Sequence, residues 1–132
     1  MNSRKIESFS RSLRNLEGSQ SYEPPFDAVT EAGLVALFQA AMEQSWKAIR
    51  EVLEQQGFSE AQTGSPRKVI KCAYSAGMID DEEGWLSALE ARNLIAHSYD
   101  ESVALRIIDL TREKFIPLFV KLEQTLQNDW ID

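Results

Sequence analysis

Apolar side chains recur every three or four residues along most of this 132-residue chain. That period matches one face of an α-helix, and it defines five stretches separated by polar breaks. The predicted helices cover about residues 3–17, 27–56 (or 30–56), 66–76, 82–97 and 101–128. Nowhere do apolar and polar residues alternate with the period of two that a half-buried strand shows. The pattern therefore predicts an all-α protein.

Prolines mark where the predicted helices begin or bend. Pro24-Pro25 forbids helix in the first link, and Ser65-Pro66 has the order of an N-cap followed by a first helical residue. Pro117 lies inside the last apolar stripe and is expected to kink or split that helix. We expect one domain over residues 1–132, an antiparallel up-and-down bundle of four main helices plus one shorter helix.

The apolar stripes also predict which side chains are buried. Trp46 and Trp85 are expected in the core or in a dimer interface, and Leu94 is expected on the buried stripe of its helix. In the last helix the apolar positions are Val103, Leu105, Ile107, Leu110, Phe115, Leu118, Phe119, Leu122 and Leu126. Trp130 lies beyond that stripe and is interpreted as a partner contact or as part of a frayed end.

Composition narrows the classes of function. The chain holds 43% hydrophobic and 27% charged residues, a single cysteine (Cys72) and a net charge of −7. One cysteine permits no internal disulfide, so a cytoplasmic setting is expected, and no apolar run is long enough to span a membrane. An acidic surface repels nucleic acid, so RNA would need a local cationic pocket or a partner protein. One histidine and one cysteine cannot complete a usual zinc site, and we expect no metal and no cofactor.

The candidate chemistry lies in residues 92–99, Arg-Asn-Leu-Ile-Ala-His-Ser-Tyr. This stretch contains the only histidine, His97, and imidazole is the side chain that exchanges protons near neutral pH. Arg92 has a rigid fork of donors that fits a phosphate, and Tyr99 adds a hydroxyl that a nucleotide can bind or modify. These residue types favour phosphodiester chemistry, with Arg92 and His97 as the candidate catalytic pair and Asn93 in a supporting role.

The order and spacing of these residues resemble the signature of the HEPN superfamily (higher eukaryotes and prokaryotes nucleotide-binding domains). Within it, the chain is most similar to the nucleotidyltransferase substrate-binding proteins, which include the HepT toxins. The similarity also covers Asp100-Glu101, Phe38 to Trp46-Lys47, Ser65-Pro66-Arg67, Ala76 to Asp80 and Trp85-Leu86. It therefore extends over nearly the whole chain, from about Ser8 to about Leu126.

The resemblance implies a homodimer, because in family members the motifs of two subunits face each other across one cleft. It implies RNA or a nucleotide in that cleft and a small nucleotidyltransferase, encoded nearby, as partner. HepT-like members imply latent, metal-independent ribonuclease activity, in which the 2′-hydroxyl of the RNA attacks the adjacent phosphate and Arg92 and His97 are catalytic. For Tyr99 the resemblance implies that its hydroxyl receives AMP from the nucleotidyltransferase, which silences the toxin.

The residues alone leave other interpretations open. Arg92 and His97 differ by roughly 140° around a regular helix, so they converge only if the helix ends near His97 or a second copy completes the site. The chain is alternatively a non-catalytic subunit that holds a nucleotide or substrate for a transferase. In a third interpretation it is a structural bundle, in which His97 caps its helix and Arg92 pairs with Glu82, Glu83 or Glu90.

Overall fold

A computed structural model describes residues 4–130. Within this range six α-helices follow one another: α1 (Arg4–Gly18), α2 (Ala28–Gln55), α3 (Pro66–Ser75), α4 (Glu82–His97), α5 (Glu101–Leu110) and α6 (Ile116–Thr125). They are joined or extended by 3-10 turns at Ser19–Ser21 and Ser59–Ala61 and by π turns at Thr111–Phe115 and Leu126–Trp130. No strand occurs in the described range, and the expected all-α bundle is confirmed.

An aromatic cluster forms the centre of the bundle. Phe38 of α2 stacks on Phe115, with ring centroids 5.2 Å apart. Phe9 of α1 meets Phe119 of α6 edge to face at 6.1 Å, and Trp85 of α4 lies 5.5 Å from Phe119. All five rings are buried. Because large rings remove much apolar surface from water, this cluster ties α1, α2, α4 and α6 into one core.

The first half of α4, the helix that carries the motif, is capped and buried. Asp81 Oδ1 accepts the Gly84 backbone N–H at 2.9 Å, which satisfies one of the free donors at the helix start. Trp85, Ala88 and Leu89 then face the core. Since these contacts fix where α4 begins and which face it buries, they also determine where its second half lies against α2 and α3.

The last helical run divides near the proline that the sequence singled out. After α5, the Ile116 N–H donates to the Thr111 carbonyl, five residues back instead of four, which makes a π turn. Pro117 then occupies the first turn of α6 and has no N–H to donate to the preceding turn. The expected kink or split takes the form of a π turn between α5 and α6, through which the backbone stays helical.

The structure corrects three expectations about apolar side chains. Leu94 and Leu105 were assigned to apolar stripes, but they are 40% and 39% exposed. Leu94 precedes the buried Ile95 and points about 100° away from it around the helix, so the two cannot both face the core. Trp130 is neither free nor frayed, because its half-buried ring packs against Phe58 with centroids 6.3 Å apart.

Candidate functional site at the end of α4

Arg92 lies in the second half of α4, and α2 holds its side chain. Its Nε donates to Glu43 Oε1 at 2.6 Å, an ion pair between side chains that are 31% and 30% exposed. The other oxygen of the same carboxylate, Oε2, accepts the indole N–H of Trp46 at 3.3 Å. The buried Trp46 ring therefore orients the Glu43 carboxylate, and this carboxylate holds one edge of the Arg92 guanidinium at the surface.

This pairing differs from the one expected for a purely structural arginine on α4. The acid that binds Arg92 is Glu43 on another helix, and none of Glu82, Glu83 and Glu90 takes that place. Glu43 was missed because 49 positions separate it from Arg92, and only the crossing of α2 past α4 brings the two together. The available signal was a carboxylate three residues before Trp46, at the edge of the apolar stripe of α2.

Most of the N–H donors of Arg92 have no partner among residues 4–130. Its Nη1 donates to the side-chain oxygen of Asn93 at 3.1 Å. A guanidinium carries five N–H donors, and the contacts to Glu43 and Asn93 occupy two of them. Within residues 4–130 the structure records no partner for the other three. The predicted neighbours Arg92 and Asn93 are thus in contact, and a phosphate-sized set of donors remains at the surface.

α4 ends at His97, which is one of the two conditions under which Arg92 and His97 can converge. The last helical bond runs from the Ser98 N–H to the Leu94 carbonyl at 2.8 Å, and the imidazole of His97 is exposed. In the described chain no hydrogen bond or ion pair joins His97 to Arg92 or to Tyr99. The single chain therefore presents both candidate catalytic groups on the terminal part of one helix, without direct contact between them.

Tyr99 lies in the short link between α4 and α5, with 46% of its surface exposed. The next residue, Asp100, caps α5: its Oδ1 accepts the Val103 N–H at 2.9 Å and the Ser102 hydroxyl at 2.8 Å. These bonds, the one from Val103 above all, hold the pKa of the Asp100 carboxyl below its ordinary value. Asp100 is thus the N-cap of α5, and it anchors the segment from which Tyr99 projects.

A local cationic surface lies on α3, a neighbour of α4 in the bundle. The ten residues of α3 include Arg67, Lys68 and Lys71, all exposed, and no carboxylate. Lys71 is partly engaged, with its Nζ 3.7 Å from a carboxylate oxygen of Glu82 at the start of α4. In a chain of net charge −7, this helix is a concentration of positive charge of the kind that RNA would require.

The motif lies on an open face and not in the groove between α1 and α2. That groove has a volume of about 660 Å³, and residues such as Tyr22, Val29 and Leu34 line it. No motif residue contributes to its wall.

Among residues 4–130, no group of three or more His, Cys, Asp or Glu side chains is arranged to hold a metal ion. Across the same part of the chain, no helix is both long enough and apolar enough to cross a bilayer.

Comparison with known proteins identifies the family. The family described as "Nucleotidyltransferase substrate binding protein like" matches residues 4–128. The chain belongs to this family. The resemblance stated from the motif is thereby confirmed, and it covers the helices that build the site as well as the site itself.

Two individual proteins are similar to this family member. One, from Haemophilus influenzae, is described as "Probable ribonuclease HepT"; it is 25% identical over 103 residues, which span 76% of this chain and 70% of the relative. The other is a protein of Thermus thermophilus whose crystal structure superimposes with a TM-score of 0.73. That match covers 94% of this chain and 99% of the other at 22% identity, and it shows a shared fold.

Proposed function

We propose that two copies of this chain form a metal-independent ribonuclease of the HepT-like kind, with a cleft between the C-terminal halves of two α4 helices. The observation that carries the proposal is the arrangement at the end of α4. An exposed imidazole, His97, terminates the helix, and Arg92 presents three N–H donors that no described residue occupies. The family, and a relative described as a probable ribonuclease, support this class of activity.

The exposure of Leu94 supports the pairing of two copies at this face. Leu94 lies between Arg92 and His97 in the sequence, yet 40% of its surface is exposed. An apolar side chain in the middle of a polar motif is stabilised when a second protomer covers it. Two-fold symmetry would bring a second Arg92 and a second His97 to the same cleft, so that the two protomers share the proton transfers.

The proposed reaction needs only these side chains and the RNA. One His97 accepts the proton of the 2′-hydroxyl while the 2′-oxygen attacks the adjacent phosphorus. The bond from phosphorus to the 5′-oxygen then breaks, and the His97 of the other protomer, in its protonated form, gives a proton to that leaving oxygen. The products are a 2′,3′-cyclic phosphate and a 5′-hydroxyl. Arg92 stabilises the negative charge that develops on the phosphoryl oxygens, and Asn93 holds one of its nitrogens.

We propose that Tyr99 is the residue whose modification by AMP inhibits the ribonuclease. Its exposed hydroxyl would attack the α-phosphorus of ATP bound to a small nucleotidyltransferase, with loss of the hydroxyl proton and release of pyrophosphate. The AMP that remains on Tyr99 adds bulk and negative charge beside the cleft, which repels an RNA phosphate. The family description, which refers to nucleotidyltransferases, supports such a partner.

Cleavage of a short RNA tests the catalytic proposal. With a chelator present, wild-type protein is expected to release a product with a 2′,3′-cyclic phosphate, and one 2′-deoxy nucleotide at the cut site should block it. Arg92→Ala and His97→Ala should each lower the rate by about 100-fold or more, the usual contribution of a positioned proton-transfer group or charge donor. Arg106→Ala, an exposed arginine of α5, is the matched control. Equal rates for the wild type and His97→Ala would end the catalytic claim.

The second candidate is a non-catalytic subunit that binds a nucleotide or substrate for the transferase. The net charge of −7 favours it, because a free ribonuclease gains from a basic surface. Incubation with the purified transferase and ATP, followed by intact mass measurement, separates the two. Added AMP on the wild type, absent in Tyr99→Phe, supports the regulated ribonuclease. Nucleotide binding that depends on Arg92, with neither cleavage nor a mass change, supports the binding subunit.

A further inference from the structure

We propose that Glu43 is the positioning residue of the site, because it holds Arg92 by Nε and leaves the far edge of the guanidinium for a phosphate. This inference rests on the function proposed above. Glu43 lies in the middle of α2, outside the motif in residues 92–99, and its carboxylate links Arg92 of the motif to that helix.

Both oxygens of the Glu43 carboxylate have a defined partner. Oε1 accepts from Arg92 at 2.6 Å, and Oε2 accepts from Trp46 at 3.3 Å. The Trp46 side chain is itself immobilised, since the residue is only 8% exposed and Arg50 stacks over its ring at 5.2 Å. A carboxylate that is held at both oxygens cannot rotate freely, and neither can the guanidinium bonded to it.

The contact with Trp46 also explains why Arg92 keeps donors for a ligand. A free carboxylate pairs with arginine through both oxygens and two parallel N–H bonds, which uses a whole edge of the guanidinium. Here the indole of Trp46 engages Oε2, so the carboxylate of Glu43 takes one N–H, at Nε. The Nη2 nitrogen and one hydrogen of Nη1 remain for a phosphate oxygen, which matches the donor set that a phosphoryl transition state requires.

Positioning and simple charge neutralisation predict opposite results when Glu43 is removed. If Glu43 only cancels the charge of Arg92, its loss should strengthen phosphate binding and leave the rate unchanged or higher. If it positions Arg92, its loss frees a side chain with four rotatable bonds, and a displacement of about 1 Å can lower a rate by about 100-fold. The positioning role therefore predicts a lower kcat with little change in KM.

The experiment measures kcat and KM for RNA cleavage by Glu43→Ala and Glu43→Gln. Glu43→Ala should lower kcat by about 10- to 100-fold, with KM within about threefold of wild type. Glu43→Gln should recover part of the loss, because its amide oxygen still accepts from Arg92 while its N–H groups oppose the Trp46 indole. Glu31→Ala is the matched control, since Glu31 is a half-buried acid of α2 like Glu43 and contacts none of Trp46, Arg50 and Arg92. It should leave both constants unchanged.

A second arm distinguishes positioning from a structural role. In an Arg92→Ala background, Glu43→Ala should have no further effect on kcat, whereas a structural defect would add to the loss. Thermal melting checks that each variant folds, and Glu43→Met, of similar length, replaces Glu43→Ala if the latter does not. A rate for Glu43→Ala equal to or above wild type overturns the inference, and so does an additive loss in the double variant.

If the wild-type protein does not cleave RNA, the proposed ribonuclease activity is wrong. The positioning role of Glu43 is then tested by oligonucleotide binding. The probe is then the all-2′-deoxy oligonucleotide of the same sequence, which lacks the attacking hydroxyl. Equal weakening of its binding by Glu43→Ala and Arg92→Ala, with partial recovery in Glu43→Gln, supports positioning. Unchanged or tighter binding by Glu43→Ala, or binding that does not depend on Arg92 at all, overturns it.

Discussion

The two ends of α4 have opposite physical characters. At its start, Asp81 caps the helix and Trp85, 2% exposed, packs against Phe119. At its end, His97 and Leu94 face solvent, Ile95 alone of residues 92–97 is buried, and an ion pair joins Arg92 to Glu43 of α2. One continuous helix thus combines an end that lies mostly in the core with an end whose polar side chains are mostly exposed.

The difference between the ends explains how a small bundle can expose the polar residues of the proposed site without losing stability. The free energy of folding comes mainly from burial, and α4 buries its largest apolar side chain, Trp85, together with Leu89 in its first half. The second half buries Ala91 and Ile95 and is held further by Glu43, so its exposed side chains need not contribute to the core. Substitutions at the first end should therefore affect stability, and those at the second should affect activity.

Trp85→Ala should have the largest effect on stability. Truncating a buried tryptophan leaves a cavity and costs about 3–5 kcal/mol of the free energy of unfolding. Denaturant unfolding followed by circular dichroism measures the loss. Glu90→Ala, at an exposed position in the second half of the same helix, is the control and should cost much less. Equal losses for the two variants would show that the ends of α4 do not differ as described.

Leu94→Asp should separate the protomers without unfolding them. A carboxylate at the centre of the proposed interface would be desolvated there, while the exposed position in a single chain tolerates it. We expect a monomer by light scattering, a melting temperature close to wild type, and a cleavage rate reduced by about tenfold or more, since each half of the site is incomplete. Val29→Asp, at a position that is 83% exposed on α2, should change none of these. A Leu94→Asp protein that remains dimeric would contradict the proposed interface.

Two glycine substitutions test the cap at the start of α4. A Cβ on Gly33 in α2 meets no atom within 4 Å, so Gly33→Ala should stabilise the protein by about 0.5–1 kcal/mol. A Cβ on Gly84 would lie 2.5 Å from Asp81 Oδ2, and the capping carboxylate would have to move. Gly84→Ala should therefore gain less than Gly33→Ala, or lose stability, in the same denaturant experiment. Equal gains would mean that the cap contributes little.

The smallest expected effect concerns pH and the cap that follows the motif. Because the pKa of folded Asp100 is below its ordinary value of 3.8, this carboxylate stabilises the fold above pH 3.8. The contribution is lost as the pH falls below that value and the carboxyl takes up a proton. Asp100→Asn should therefore show a shallower decrease in melting temperature between about pH 4 and pH 2 than wild type. Asp109→Asn, on the same helix, is the control and should follow the wild type.

Much of the fold follows from local signals in the sequence. The helix predicted over residues 82–97 has the same bounds as α4. Acidic residues before Trp85 mark its start, and Ser98, which follows His97, marks its end. A π turn before Pro117 interrupts the last α-helix, because the proline ring lacks the N–H that a helix interior needs. The family was likewise recognised from residue types and spacing, and the match over residues 4–128 confirms it, whereas the roles of the motif residues stay a prediction.

Tertiary structure alone decided how the motif is held and what surrounds it. The helical period shows which residues share a face, but not how far a neighbouring helix covers that face, so the exposure of Leu94 was not foreseen. The pairing of Glu43 with Arg92 depends on the crossing of two helices far apart in the sequence. A local pattern contains no information on such a crossing, because the packing of the whole core determines it.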